Sequence, residues 1–335
     1  MVEKQGYKIF TICKKIFFGA DTAFRNLSNS FPIVEHFSVG SCDINNPEIR
    51  LLYNYLKRQD KKIIIFSGSV EVYADIINQL KGENTIFGVY WFSSAGQAEI
   101  SKELKILVLL LDNPVIKYKF FASKELYAGL KKYGNDIYYL PVIMADNFCV
   151  SVKKTLKNKK NIIFSLFCSQ SEYRRKNLLN VLLALSNLKR PYVLYLNGLS
   201  KEGCYKRLLN KLHIVYEDLG FMDRAKYEKV LNRIDIGLQV SFAESFNCVV
   251  AEHLIRGIPV ITSNMVPAMN VLPLNIRKML VVDSIDNPLA ISKKIEELIA
   301  SPKLSLVTGS NISRYVIAEN KKRQILVRDL LESIA

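Results

Sequence analysis

A pair of doubly wound α/β domains is what this sequence predicts, on three observations. Short β-branched and aromatic runs alternate with longer amphipathic ones, the pattern of parallel strands joined by crossover helices. That pattern breaks at residues 151–160 (SVKKTLKNKK), a polar stretch with five lysines, and then restarts. The chain has 335 residues, enough for two domains of ordinary size.

The first half opens with a strand over residues 7–13. A loop through Phe18, Gly19 and Ala20 leads into a helix over 21–30, and 33–39 is a second strand. Residues 47–58 follow as a helix with Leu51, Leu52 and Leu56 on one face. The run KKIIIFS at 61–67 is the clearest strand of this half, stopped by Gly68. A helix over 70–80, strands over 85–91, 117–122 and 137–142, and a helix over 124–133 complete it.

The second half begins with a strand over 161–167 and a leucine-rich helix over 176–188. A strand over 192–197 and a basic helix over 201–211 come next, then a short strand over 214–217 and a helix over 224–232. The strand 236–240 feeds a helix over 247–256 that Gly257 closes at its C-terminal cap, and 259–263 is one more strand. Residues 281–282, a helix over 289–300 and a terminal helix from 312 finish the chain. The expected domains are 1–155 and 156–311, with 312–335 a helix crossing back to the first. Two such sheets would face each other across a cleft, with ligands beyond the carboxyl ends of the strands.

Composition narrows the function. Hydrophobic residues make up 49 % and charged residues 23 %, as in an ordinary globular chain, so disorder and collagen-like repeats are excluded. The longest aliphatic run, residues 106–111, is far below the roughly 20 residues of a spanning helix. A cytoplasmic protein is the expectation. The net charge of +16, heavier in the second half, implies an anionic partner: nucleic acid, an acidic lipid surface or a phosphorylated small molecule. Six cysteines without a CxxC pair read as buried thiols in a reducing compartment, and His36, His213 and His253 have no metal-ligand spacing, so no metal site is expected. His36, in or near a strand, reads as structural.

The informative segment follows the strand 236–240. It reads Ser241-Phe242-Ala243-Glu244-Ser245-Phe246-Asn247-Cys248-Val249-Val250-Ala251-Glu252. One glutamate lies in the loop, and the other about one and a half turns into the helix. A helix N-terminus offers unpaired N–H groups and partial positive charge to a diphosphate. Carboxylates on either flank suit sugar hydroxyls. Glutamates near a helix start also simply complement its dipole, so the spacing alone leaves both readings open.

With Arg256-Gly257-Ile258-Pro259-Val260-Ile261-Thr262-Ser263 directly behind it, the stretch from Asp235 to Ser263 resembles the donor-binding core of retaining GT-B glycosyltransferases of family 4. Gly220-Phe221 with the Tyr227-bearing helix, and the loop SQSEYRRKN at 169–177, match further segments of that family. The resemblance covers about 161–263; the first half agrees in layout only. It implies a GT-B fold, two Rossmann-like doubly wound parallel-sheet domains facing across a cleft.

Roles follow position by position from the resemblance. Glu244 would face the transferred sugar, and Glu252 would accept hydrogen bonds from the ribose. The backbone at Phe246, Asn247 and Cys248 would hold the diphosphate with Lys176, the second catalytic residue. Gly220 and Phe221 would shape the nucleobase pocket. The chain departs from the family at Ser245-Phe246-Asn247, where Gly-Phe-Gly is usual; the added side chains would narrow the approach to phosphate, though Ser and Asn can still leave the N–H groups exposed. Gln170 stands where the family places an arginine, with Arg174 and Arg175 close by as substitutes. Only Gly19 remains of the glycine-rich loop after the first strand. Trp91 and Ser93, at a strand end, read either as packing on the sheet or as an acceptor-side lip.

The implied function is retaining transfer of a sugar from a UDP- or GDP-linked donor to a glycan or lipid-linked acceptor, in surface polysaccharide synthesis. No cofactor is required, and the basic surface suggests a peripheral position at the inner face of a membrane. A sugar-nucleotide epimerase of the same fold and a non-catalytic binding module are the alternatives. Nucleic-acid binding is a more remote one, since no recognisable nucleic-acid motif is present.

Overall fold

The computed structural model describes residues 7–15, 18–82, 84–144, 156, 159–199 and 203–335. Most of the lysine-rich stretch at 151–160 lies outside the described residues. The chain forms two compact units, Met1–Asp146 with Asn320–Ala335, and Asn147–Glu319.

The first unit is a six-stranded parallel sheet of β1 (Lys8–Lys14), β2 (Val34–Val39), β3 (Lys62–Ser67), β4 (Thr85–Trp91), β5 (Ile116–Phe121) and β6 (Ile137–Tyr139), in the order β2-β1-β3-β4-β5-β6. Ile9 pairs with Val34 on one side and Ile63 on the other. Every residue of β3 is buried, as a strand covered on both faces requires. The covering helices are α1 (Phe18–Ser30), α2 (Pro47–Lys57), α3 (Ala74–Leu80), α4 (Ala95–Ile100), α5 (Leu104–Leu111) and α6 (Lys124–Leu130). Asn46 caps α2 by accepting the Glu48 N–H, and Pro47 sits at its first turn, where no N–H is needed. The buried face of α2 is Ile49, Leu52 and Leu56; Leu51, assigned to that face from sequence, is 71 % exposed.

The second unit repeats the plan with β7 (Ile162–Leu166), β8 (Tyr192–Leu196), β9 (Tyr216–Asp218), β10 (Ile236–Gln239), β11 (Val260–Ser263) and β12 (Val281–Val282), in the order β12-β11-β10-β7-β8-β9. Its helices are α7 (Leu178–Ser186), α8 (Cys204–Lys211), α9 (Arg224–Leu231), α10 (Cys248–Ile255), α11 (Leu274–Leu280) and α12 (Pro288–Ala300). The long α13 (Ser310–Ile334) starts in this unit and ends in the first. Among the described residues no helix is long and apolar enough to cross a membrane.

The strand order positions the site. The chain runs outward from β7 through β8 to β9, then returns to β10 on the other side of β7. The loops after β7 and β10 therefore leave the sheet in opposite directions, and such a switch point is where open α/β sheets bind their ligands. Asp235 fixes the two strands there. Its carboxylate accepts the Ile163 N–H at 2.8 Å and pairs with Lys159 at 2.5 Å.

Three helices were missed. In α5 nearly every residue is apolar, so the 3.6-residue period is invisible; Leu107 and Leu110 face inward while Leu104, Val108 and Leu109 are exposed. Helices α4 and α11 are short, and short helices carry little periodic signal. The helix expected over 70–80 begins as a 3-10 turn, Val70–Tyr73, because Ser69 gives no side-chain cap.

Candidate active site in the second unit

After β7 the chain passes Phe167 and Cys168, makes a 3-10 turn at Gln170–Glu172, and buries Arg175, Lys176 and Asn177 before α7. The Cys168 N–H is fixed by the Asn197 side chain at 2.8 Å. After β10 the chain passes Ser241 to Ser245 and enters α10 through Phe246 and Asn247. Both loops end at one cluster of charges.

Glu244 is the centre of that cluster and is 7 % exposed. Its Oε1 meets Lys176 Nζ at 2.6 Å, Arg175 at 2.7 Å and Asn247 Nδ2 at 3.2 Å. Burial alone would push this carboxyl up, but the Lys176 and Arg175 charges outweigh it and hold it below its ordinary value. Arg175 also donates to the Ala243 carbonyl at 2.9 Å and pairs with Glu172. It is a buried strut between the two loops. Arg174 beside it is exposed. Gln170 opens the 3-10 turn, and its side chain lies outside the described residues.

Asn247 forms the turn into α10. Its φ is +70°, in the left-handed region where only Gly, Asn and Asp are at ease. Its Oδ1 accepts the Val250 N–H at 3.1 Å, and its Nδ2 turns toward Glu244 and Gln239. The side chain thus folds under the loop and caps α10 instead of narrowing the approach to it. Among the described residues none accepts the N–H groups of Cys248 or Val249, which remain the donors at the helix opening. Burial pushes the Cys248 thiol up to about 12, so it stays protonated. Phe246 is 6 % exposed, and its carbonyl accepts the Ala268 N–H at 3.1 Å.

Glu252 lies one turn further along α10 and is 4 % exposed. Arg224 donates to its Oε1 at 2.5 Å and the Tyr227 hydroxyl to its Oε2 at 2.8 Å. Burial, then the Glu252 charge, push the Tyr227 phenol well above its ordinary value, so it remains a donor. Each carboxylate oxygen keeps a lone pair for a further donor. Gly220 and Phe221 follow β9, and Phe221 is 71 % exposed. Asp218 shapes this corner by accepting the N–H groups of Gly198 at 2.9 Å, Leu199 at 3.0 Å and Gly220 at 3.1 Å.

Glu244, Lys176, Arg175, Asn247 and Cys248 are thus brought together, and Glu252 stands further along the same helix. Sequence reasoning missed Gln239, Asp218 and Arg224. Gln239 could have been noticed as an amide in an otherwise apolar strand (Ile236, Gly237, Leu238), and Asp218 as a strand-end carboxylate before Leu219-Gly220.

In the first unit Trp91 is 3 % exposed and packs in the core, and the Ser93 hydroxyl donates to Glu103 at 2.5 Å. Of the two readings of this loop, packing on the sheet fits; an indole in the core has no face open to a sugar. Gly19 lies in the first turn of α1. His36 bonds Asp21 and Thr11, each at 3.0 Å, as a structural histidine does.

Residues 150–315 match the family model described as glycosyl transferases group 1. Among curated proteins there is no match. Among solved structures, Anabaena HepE in complex with UDP and glucose superimposes with a TM-score of 0.71 at 13 % identity, covering 98 % of this chain and 100 % of that one. Sucrose-phosphate synthase from Thermosynechococcus elongatus gives 0.67 at 13 %, over 98 % and 99 % of the chains. A glycosyltransferase from Rickettsia africae gives 0.61 at 15 %, over 98 % and 97 %. These likenesses establish the fold from end to end. The chain therefore has the GT-B fold, and its residues 150–315 are similar to the group 1 glycosyl transferases.

Proposed function

We propose that the protein is a retaining glycosyltransferase that uses a nucleoside-diphosphate sugar. The observation that carries this reading is the convergence of the free N–H groups of α10, Lys176 and Glu244 beside the switch point of the sheet. A diphosphate at the α10 opening would take hydrogen bonds from Cys248 and Val249 and a charge-assisted bond from Lys176. Glu252 would receive the ribose hydroxyls on one side, and Glu244 those of the transferred sugar on the other. The base would rest on Gly220 and Phe221.

In the front-face scheme the acceptor oxygen bonds the anomeric carbon on the side from which the phosphate oxygen departs. The acceptor proton passes to that departing oxygen. Lys176 then stabilises charge developing on the diphosphate, where an aimed cation lowers the barrier most. No metal or cofactor is needed. The first unit would take the acceptor, and the basic surface suits an acidic or lipid-linked glycan at the inner face of a membrane, as in surface polysaccharide synthesis. HepE, which binds UDP and glucose, favours a UDP-linked donor over a GDP-linked one.

A panel of UDP-, GDP- and ADP-sugars tests this by thermal shift and nucleotide release. A hundredfold excess over Kd stabilises the folded protein by about 2.7 kcal/mol, a shift of several degrees. The reading requires one nucleotide sugar to stabilise the protein and to lose its nucleotide when acceptor is added. If none stabilises it, the transferase reading fails. Donor interconversion without acceptor would indicate an epimerase, and binding without release a binding module.

A further inference from the structure

Gln239 ends β10 and is 1 % exposed. Buried amides need partners, and the chemistry of the neighbours fixes which way this one points. The Phe167 carbonyl can only accept, so Nε2 faces it, at 3.0 Å. The Lys176 ammonium can only donate, so Oε1 faces it, at 3.1 Å, and the same oxygen accepts from Asn247 Nδ2 at 3.3 Å. The hydrogen bonds therefore run in one direction. Phe167, the first residue after β7, orients Gln239. Gln239 in turn holds both Lys176 and the asparagine that caps α10.

An ammonium carries three N–H donors. One of those on Lys176 goes to Glu244 at 2.6 Å and a second to Gln239. Among the described residues no third acceptor meets it. With two donors anchored on different sides, the direction of the third is set. Without Gln239 the ammonium would pivot about the Glu244 contact alone and sink into that ion pair.

We propose that Gln239 is a positioning residue that aims the third N–H of Lys176 at the terminal phosphate of the nucleoside diphosphate. This rests on the assignment of Lys176 to the diphosphate made above. Gln239 touches no substrate; it acts through Lys176.

The test compares nucleotides that differ only in that phosphate. Kd values for UDP and UMP, and for GDP and GMP, are measured calorimetrically on wild type, Gln239→Met, Lys176→Met and the double variant. Lys176→Met should remove most of the preference for diphosphate over monophosphate. Gln239→Met should cut that preference about tenfold, the scale of one charge-assisted hydrogen bond, with monophosphate affinity unchanged. The double variant should be no worse than Lys176→Met. If Gln239→Met folds poorly, Gln239→Glu serves. Its extra charge competes with phosphate for the same ammonium, so the preference should again fall.

Loss of monophosphate and diphosphate affinity together would mean a purely structural glutamine and would overturn the proposal. So would an unchanged preference in both Gln239 variants, or additive losses in the double variant. If Lys176→Met keeps the preference, the assignment of Lys176 is wrong and Gln239 falls with it. If neither nucleotide pair binds wild type, the donor site itself is misassigned.

Discussion

Glu244 and Glu252 are both buried carboxylates, yet the protein treats them differently. Glu244 is held by two cations, so removing it strands Lys176 without a counter-charge and leaves Arg175 with Glu172 alone. Breaking such a buried pair costs about 3–5 kcal/mol, more than the pair adds over an apolar replacement. Glu244→Ala therefore confounds catalysis with folding, and Glu244→Gln, which keeps an acceptor, is the better probe. Because the folded-state pKa of Glu244 is lowered, its ionised form stabilises the protein at neutral pH. That contribution is lost as pH falls below about 4.5, the ordinary value. Urea unfolding should show Glu244→Gln less stable than wild type by roughly 2–4 kcal/mol at neutral pH. The gap should narrow as pH drops through the carboxylate range. A gap independent of pH would mean that Glu244 is not charged in the folded protein.

At the scale of elements, α10 shows how one residue can do the work of a family glycine. Asn247 accepts a left-handed backbone and uses its side chain to cap the helix. Asn247→Ala loses both and should cost about 2–3 kcal/mol. Asn247→Gly loses only the cap and its amide bonds, so it should cost less, and chemical denaturation would rank the two. The reverse order would mean that the φ of +70° carries no strain. At the other end of α10, Gly257 has φ +77°, and a Cβ there would lie 2.5 Å from Gly309, so the helix can end only on glycine. That cap was legible in the sequence, as were the twelve strands of the described residues, because buried parallel strands read as short aliphatic runs. The position of Glu244 after a strand and before a helix was legible too. Its partners were not. Arg175 reaches Glu244 only because the loops after β7 and β10 meet at the switch point, and that adjacency is a property of strand order. Nor could spacing say that Asn247 would turn inward, since a side chain's direction depends on its backbone φ and on an amide in β10.

Across the whole molecule, one plan is used twice, with each six-stranded parallel sheet wound in both directions from its first strand, β1 in one unit and β7 in the other. The last helix belongs to both units. Asn320 bonds the backbone of Met144 through both ends of its amide, at 2.7 and 3.1 Å, and Arg323 donates to the Val142 carbonyl at 3.2 Å. The Tyr7 N–H is accepted by Ala335 at 3.0 Å. Deleting residues 320–335 leaves those buried groups unpaired, at about 1–3 kcal/mol each. Hydrogen exchange should then speed up in β3 and β4 of the first unit while β7 and β10 keep their protection. Equal loss in both sheets would contradict the division between units.

On the proposed function, the opening of α10, with Lys176 beside it, holds a diphosphate between two carboxylates. A crystal structure of the protein with UDP tests it most directly. The β-phosphate oxygens should lie about 3 Å from the N–H groups of Cys248 and Val249 and from Lys176 Nζ, with the ribose hydroxyls on Glu252. UDP bound with its phosphates elsewhere, or with Lys176 still turned wholly into Glu244, would contradict it.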